Sequence, residues 1–517
     1  MLFTIGRIEY LLLVVKQYSL VSKSAQLHVR VRFAPSPTGH LHLGGLRTAL
    51  FNYLFAKQHG GQFVLRIEDT DVQRTVDGAA EAIQSCLQWL GLNADESPSK
   101  GGPHGPYVQS QRLHIYSQAA KELLEQDKVY RCFCSRERLM LKRKEALRMG
   151  RDPGYDNACR HLSKEEIVSK LRSCQPFVLR LKQKSQLITF EDVVYGSHSF
   201  PVRDDMGDPI LIKSDGYPTY HFASVIDDHD MQISHVLRGE EWLSSTGIHL
   251  QLYKAFQWEP PVFAHLPLML NLSGAKLSKR EGMSLIEHYR DRCFYPEAVV
   301  SFACFAGGGF VGDSDKLALR SLDEYVNLFD LKHVAKRRPK LDIQWLELLN
   351  RQALAKKTDA ELLAHMRHLI HHHIPSEEQS SFSDSFMLNV FNHYKNEICT
   401  LAELFDESRI FLWKMPTVPL QLEADQSSQL VEVRHLDALI AALECLQDDR
   451  FERKVLADLL CHVAANGGVP TAHLMQFLRR VLTGSRRGLP IAEVLEILGK
   501  YNSLQRLRIV RHCVASK

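Results

Sequence analysis

Arg32-Phe-Ala-Pro-Ser-Pro-Thr-Gly-His-Leu-His-Leu-Gly-Gly-Leu-Arg47 is the stretch whose reading decides the fold. It reads as the end of a strand, a tight loop and the start of a helix. Pro35 and Pro37 hold the loop extended and remove two backbone donors. Gly39, Gly44 and Gly45 permit close backbone approach. From Leu46 the spacing Leu46, Leu50, Tyr53, Leu54 is helical, with Arg47 and Asn52 expected elsewhere on the surface. His40 and His42 stand just ahead of that helix, whose free N–H groups and positive dipole end suit a phosphate. The plain alternative is a strand–turn–helix that binds nothing.

Working outward, Val29 to Phe33 and Gln62 to Ile67 favour strands, with a helix over 44–58 between them. That is a βαβ unit, which implies a parallel sheet with a right-handed crossover and ligands at the carboxyl ends of the strands. Arg66-Ile-Glu-Asp-Thr-Asp71 closes the second strand with Glu68, Asp69 and Asp71. Such a cluster is either a solvated turn with a helix cap or a seat for a cation or an ammonium group. A buried strand is expected again over 216–224, running into Val225, Ile226, Asp227 and Asp228. His235 to Trp242 places Arg238, Glu240 and Glu241 at another strand end. An arginine there is a carboxylate clamp, or else the partner of a neighbouring acid. Asn271 to Arg280 is a basic Gly/Ser loop whose lysines reach phosphates or simply face water.

Helices are expected over 76–92, 110–129 and the basic 136–151. Cys132-Phe-Cys134 and Cys159-Arg-His161 offer three thiols and an imidazole, enough to close a tetrahedral zinc site; the alternative is reduced, buried thiols. Residues 177–213 alternate like one small antiparallel sheet inserted into the parallel one. Beyond about 330 strand signals nearly vanish and helices are expected over 342–355, 359–371, 385–405, 429–447, 452–465, 470–482 and 490–500. Lys336 to Lys340, with Arg479, Arg480, Arg486 and Arg487, give basic spots suited to RNA phosphates or to a solvated helix surface.

The length of 517 residues implies several domains, and 45% hydrophobic with 24% charged residues fits a globular chain. A net charge of +4 is too mild to demonstrate a nucleic-acid partner, and eleven cysteines, an odd count, argue for a reducing compartment rather than a disulfide framework. No apolar run reaches membrane-spanning length, so no membrane insertion is expected. Before Phe33 stand Arg7, Lys16, Lys23, Arg30 and Arg32 against the single acid Glu9. A basic, acid-poor, partly amphipathic leader reads as a mitochondrial transit peptide, with an unaddressed extension as the alternative.

From about Val29 to Arg508 the chain resembles bacterial-type class I glutamyl-tRNA synthetases, most closely their mitochondrial members. Arg32-Phe-Ala-Pro-Ser-Pro-Thr-Gly followed by Leu-His-Leu-Gly-Gly45 is similar to that family's HIGH motif, and Lys276-Leu-Ser-Lys-Arg280 to its KMSKS loop. Arg66 to Asp71, Gly105 to Arg112 and Tyr217 to Ser224 are similar to further family blocks. The resemblance implies an α/β fold. A Rossmann-type parallel sheet (29–120 and 216–260) carries an acceptor-stem insertion (121–215). A KMSKS and stem-contact region (261–345) and an all-α anticodon-binding domain (346–517) follow, behind a leader (1–28).

The roles it implies are these. His42 and Lys279 are catalytic. His40, His42, Gly44, Gly45, Glu241, Lys276, Leu277, Ser278, Lys279 and Arg280 bind ATP. Arg32, Phe33, Ala34, Ser36, Glu68, Tyr220, His221, Phe222, Ala223, Ser224 and Arg238 line the glutamate pocket. Magnesium accompanies the ATP, and zinc fits Cys132, Cys134, Cys159 and His161. The implied partners are L-glutamate, ATP and tRNA-Glu, with tRNA-Gln as a second acceptor left open; the chain is expected to be a monomer in the mitochondrial matrix. The nearest rivals are a glutaminyl-type synthetase, whose anticodon domain is β-barrel rather than helical, and a catalytically inactive tRNA-binding relative.

Overall fold

The computed structural model describes residues 28–150, 154–203, 206–275, 285–312, 318–375, 382–414, 426–485 and 487–515. Residues 1–27 of the leader, the 276–280 loop and Arg486 lie outside the described residues. Two compact units divide the chain: one runs to Tyr289 and includes Val299–Ile343, and the other is Arg290–Ala298 with Gln344–Lys517.

In the first unit β1 (Arg30–Phe33) and β2 (Gln62–Leu65) pair in parallel, Arg30 opposite Gln62 and Phe33 opposite Leu65. The Leu43–Gln58 helix joins them. Leu46, Leu50 and Leu54 are fully buried, and burying each contributes roughly 1.5–3 kcal/mol. The helix is buried on more than its leucine face. Arg47 and Asn52, expected on the surface, are both buried. Arg47 Nη1 donates to the Pro267 carbonyl at 2.7 Å and Asn52 Nδ2 to the Leu237 carbonyl at 3.1 Å. The helix is covered on a second side by rings of Phe310 and Phe329 that pack on Phe51. Polar residues at a helix position predict exposure only where one side faces water.

Next come β3 (Val129–Cys132), β4 (Val178–Leu181), β5 (Gln186–Asp192), β6 (Gly196–Val202), β7 (Ile210–Ile212), β8 (His235–Gly239) and β9 (Val262–Leu266). The single antiparallel sheet expected over 177–213 is instead two structures. β3, β4 and β7 form one antiparallel sheet, while the β5–β6 hairpin joins the parallel β8–β9 pair. Asp192, the last residue of β5, pairs in parallel with Phe263 of β9. Alternation of buried and exposed residues reports which face of a strand is covered, not which strand lies beside it. β8 meets β1 at its start, where the Ser234 amide donates to the Arg30 carbonyl at 2.9 Å.

The strand expected over 216–228 is a helix, Tyr220–Asp230. Pro218 and the extended Thr219 end the preceding segment, and the helix is buried from Phe222 to Asp228. An apolar run covered on all sides carries no period that separates helix from strand. Other helices form at Ala79–Trp89, Leu113–Glu125 (after a 3₁₀ turn at Gln109–Arg112) and Arg136–Arg148.

The second unit is helical: Ile343–Ala355 at its border, then Asp359–His373, Asp384–Tyr394, Gln426–Cys445, Arg453–Asn466, Thr471–Thr483 and Ile491–Ala515, kinked at Gly499. The helix expected over 385–405 stops at Tyr394. A 3₁₀ turn at Leu401–Phe405 follows, started by a Thr400–Glu403 capping box. Buried Trp413 donates its Nε1–H to the Leu404 carbonyl at 2.7 Å. Among the described residues from 344 onward there is no strand, and none of the described helices is long and apolar enough to cross a membrane.

Candidate active site

A cavity of about 820 Å³ opens at the carboxyl ends of β1, β2 and β8. Its wall brings together Arg32 to Ser36, His40 to His42, Gly44, Gly45, Glu68, Tyr220, Arg238 and Glu241. His42 is the N-cap of the Leu43–Gln58 helix: its backbone is extended and its Nδ1 accepts from the Gly45 amide at 3.0 Å. An imidazole that accepts at Nδ1 carries its proton on Nε2, so the ring presents a donor there. Gly44 permits this fold-back, since a Cβ at 44 would lie 3.0 Å from His42 Cε1. His40 is exposed, with Nδ1 3.1 Å from Glu287. The chain leaves the described residues after Ala275 and returns at Leu285, which bridges to His42; the Ile286 amide donates to the Leu41 carbonyl at 2.9 Å.

At and behind the wall, one set of arginines is paired with buried carboxylates, while Arg238 has no carboxylate partner among the described residues. Arg32 donates through Nε and Nη2 to both oxygens of Asp228, at 2.9 and 3.3 Å. Arg66, fully buried, donates to Asp228 at 2.8 Å and to Glu68 Oε1 at 3.0 Å. Arg112 donates to Asp227 at 2.7 Å, and Gln109 and Tyr116 donate to the same carboxylate. Three guanidiniums thus meet three buried carboxylates, and Arg112 also donates to the more exposed Asp230 at 3.0 Å. Glu68 Oε2 has no hydrogen bond among the described residues, and burial pushes the Glu68 carboxyl up to about 7 against the pull of Arg66 and Arg32.

Arg238 is different. Only 4% exposed, it donates from Nε to His265 Nε2 at 3.0 Å, and from Nη2 to Thr246 Oγ1 at 2.9 Å and the Trp242 carbonyl at 3.2 Å. Nη1 donates to the Tyr220 hydroxyl at 3.3 Å and lies 3.4 Å from His249 Nδ1. Burial lowers the affinity of both histidines for protons. Every partner of Arg238 is therefore neutral. The ion pair with a neighbouring acid, one of the two readings of this arginine, does not form among the described residues. A buried guanidinium on a cavity wall with no counter-ion is a site for an incoming anion.

Of the 220–224 block only Tyr220 lines the cavity. His221 Nδ1 lies 3.2 Å from His249 Nε2, and burial pushes its imidazole down to about 4. Phe222 and Ala223 belong to the hydrophobic core, and Ser224 is fully buried with no partner for its Oγ. The turn of the helix that replaced the expected strand carries them away from the wall. Sequence reading assigned no role to Arg66, Asp228, Thr246 or His265. The available signal was Asp227-Asp228 at the end of an apolar run, because carboxylates buried there require cationic partners.

The thiols of Cys132, Cys134 and Cys159 gather within 4.8 Å of one another, while His161 is exposed and outside the group. The Tyr155 hydroxyl lies 3.2 Å from Cys132 Sγ and 3.6 Å from Cys134 Sγ, in the place expected for the imidazole. Tetrahedral zinc with Zn–S of about 2.3 Å sets sulfur–sulfur separations of about 3.8 Å. The 3.5 Å between Cys134 and Cys159 is near that.

The parallel strands, the histidine-capped helix and the cavity at the strands' carboxyl ends lie in a class I tRNA synthetase catalytic domain. Residues 28–348 match the model of the tRNA synthetases class I (E and Q), catalytic domain, and residues 359–511 match an anticodon binding domain. The glutamate–tRNA ligase of Clostridioides difficile is 36% identical over 499 residues, 94% of this chain and 99% of that protein. That of Chlorobaculum parvum is 38% identical over 504 residues, 93% and 97% of the two chains. The crystal structure of a glutamate tRNA ligase from Elizabethkingia meningosepticum in complex with its amino acid aligns at TM-score 0.74 and 32% identity, covering 94% of this chain and 99% of that one. The chain belongs to the glutamate–tRNA ligase family.

Proposed function

We propose that this chain joins L-glutamate to tRNA-Glu in two steps. Glutamate and ATP give glutamyl-adenylate and pyrophosphate; the acyl group then passes to the 2′-hydroxyl of the terminal adenosine. The observation that carries the reading is Arg238, a buried cation without a counter-ion, on the same wall as the Nε2 donor of His42. Arg238 and Arg32 receive the carboxylates of the substrate and Glu68 Oε2 receives its ammonium. His42 donates to the phosphate that is attacked, and the likeness of Lys276 to Arg280 to the KMSKS loop supports Lys279 as the cation that neutralises the departing pyrophosphate; magnesium carried in with ATP would share that charge. Catalysis is positional and electrostatic, and no general base is required because the attacking carboxylate is already ionised at neutral pH. Pyrophosphate exchange and aminoacylation, measured with purified tRNA-Glu and tRNA-Gln, test the proposal. Binding of tRNA without formation of glutamyl-tRNA would leave only the inactive relative.

Glu68 gives this reading a pH signature. Its carboxyl is pushed up to about 7, so it loses its charge as pH falls below that value. The expected result is a kcat/KM for glutamate that drops about tenfold per pH unit below 7, and a Glu68→Gln enzyme that is slower and lacks this limb. The stability effect has the opposite sense. A folded value above the unfolded one favours the folded state in acid, and that contribution is lost as pH rises from about 4.5 through 7. Unfolding midpoints of the two proteins across pH 4 to 8 check it.

The basic leader supports import into the mitochondrial matrix; a fluorescent fusion that stays cytosolic with residues 1–28 intact would refute it. The three gathered thiols support one structural zinc per chain, held by Cys132, Cys134 and Cys159 with Tyr155 or His161 completing the set. Metal analysis of the purified protein should return about one zinc, lost in Cys134→Ser, and a zinc-free wild type removes the site.

A further inference from the structure

Arg238 needs two things that conflict: a fixed direction, and a charge not already spent on a protein carboxylate. The structure meets both through a buried pair lying behind the wall. Asp192 and His265 are each almost completely buried, and neither lines the cavity. His265 Nδ1 lies 2.7 Å from Asp192 Oδ2, and the His265 amide donates to the same oxygen at 3.1 Å. On the other side of the ring, Nε2 accepts from Arg238 Nε at 3.0 Å and lies 3.3 Å from the Thr246 hydroxyl. Arg238 Nε can only donate, so Nε2 must be the unprotonated nitrogen. The ring proton is then on Nδ1, where Asp192 accepts it. Asp192 reaches this position because the β5–β6 hairpin is an edge of the parallel sheet, with Asp192 opposite Phe263.

We propose that Asp192 and His265 are positioning residues for substrate recognition: Asp192 fixes the Nδ1–H tautomer of His265, and His265 Nε2 aims the Arg238 guanidinium at the carboxylate of the amino-acid substrate. The pair holds Arg238 with a neutral ring, so the guanidinium keeps its charge for the substrate. It acts on an acidic side chain and not on ATP. Asp192 also has a local task, since its Oδ1 accepts from the Val194 and Tyr195 amides of the hairpin turn at 3.0 and 2.8 Å. The test has to separate anchoring of the hairpin from positioning of Arg238.

Two substitutions of one residue do so. In His265→Asn the amide reaches only as far as Nδ1 did, keeping the Asp192 contact and losing the acceptor for Arg238. In His265→Gln the amide oxygen reaches the place of Nε2, keeping that acceptor. The proposal rests on Arg238 being the carboxylate ligand, so Arg238→Ala is measured alongside with wild-type tRNA-Glu. The expected result is a KM for glutamate raised about tenfold or more in His265→Asn and held within about threefold in His265→Gln, with the KM for ATP unchanged in both. Asp192→Asn, free to donate to Nδ1 and move the ring proton to Nε2, should raise the glutamate KM similarly. Adding His265→Gln to it should restore the value, because the amide acceptor does not depend on a tautomer. The reverse order of the two His265 variants, equal losses in glutamate and ATP KM, unaltered kinetics in both, or an Asp192→Asn defect that His265→Gln does not relieve would each overturn the proposal. An unchanged glutamate KM in Arg238→Ala would instead overturn the role of Arg238 itself.

Discussion

Arg238→Ala should lower kcat/KM for glutamate by about 10²–10³-fold while the KM for ATP stays within about threefold. The argument is one of charge count. Arg32, Arg66 and Arg112 share Asp228, Glu68 and Asp227, so removing any of them leaves the buried carboxylates one positive charge short and endangers the fold. Arg238 has only neutral partners, and its removal strands no charge. The loss therefore falls on the ligand, whose carboxylate would meet the wall without its guanidinium partner. Arg238→Lys should recover little, because a single ammonium cannot donate to His265, Tyr220 and Thr246 at once and still face a carboxylate. The measurement is steady-state aminoacylation with each substrate varied in turn, supported by unfolding midpoints showing that both variants are folded. Equal losses for glutamate and ATP would mean that Arg238 holds the wall together rather than reading the substrate.

What could be read from the residues follows a physical line. The βαβ unit was legible because its strands and helix differ in period and are separated by proline and glycine. The Tyr220–Asp230 helix was not, since a segment buried on every side shows neither period. Arg47 and Asn52 misled for a related reason: Arg47 Nη1 and Asn52 Nδ2 donate to the carbonyls of Pro267 and Leu237, which are distant in sequence. Within the site, residues in the signature stretches were legible as chemistry. Groups that hold them were not, because Asp228, Thr246, His265 and Asp192 act by three-dimensional proximity. The β5–β6 hairpin illustrates this best. Its alternation predicted strands, yet only the pairing with β9 brings Asp192 to His265.

His42→Asn should lower kcat by about 10²–10³-fold and leave both KM values and the unfolding midpoint nearly unchanged. Two roles meet in this side chain, and the substitution separates them. As N-cap, His42 accepts from the Gly45 amide through Nδ1. Asparagine is among the best N-caps, and its amide oxygen reaches the place of Nδ1, so the helix keeps its cap. What asparagine lacks is the Nε2 donor of a ring on the cavity wall, which the proposed reaction uses on the phosphate under attack. A donor aimed at charge that grows in the transition state acts on kcat rather than on binding of the ground state. His42→Ala should show the same loss of kcat together with a stability loss of about 1 kcal/mol from the missing cap. The comparison distinguishes an electrostatic role from a packing role. A His42→Asn enzyme with normal kcat would mean that capping the helix is the whole task of His42; a raised KM for ATP with normal kcat would mean that the ring binds nucleotide without favouring the transition state.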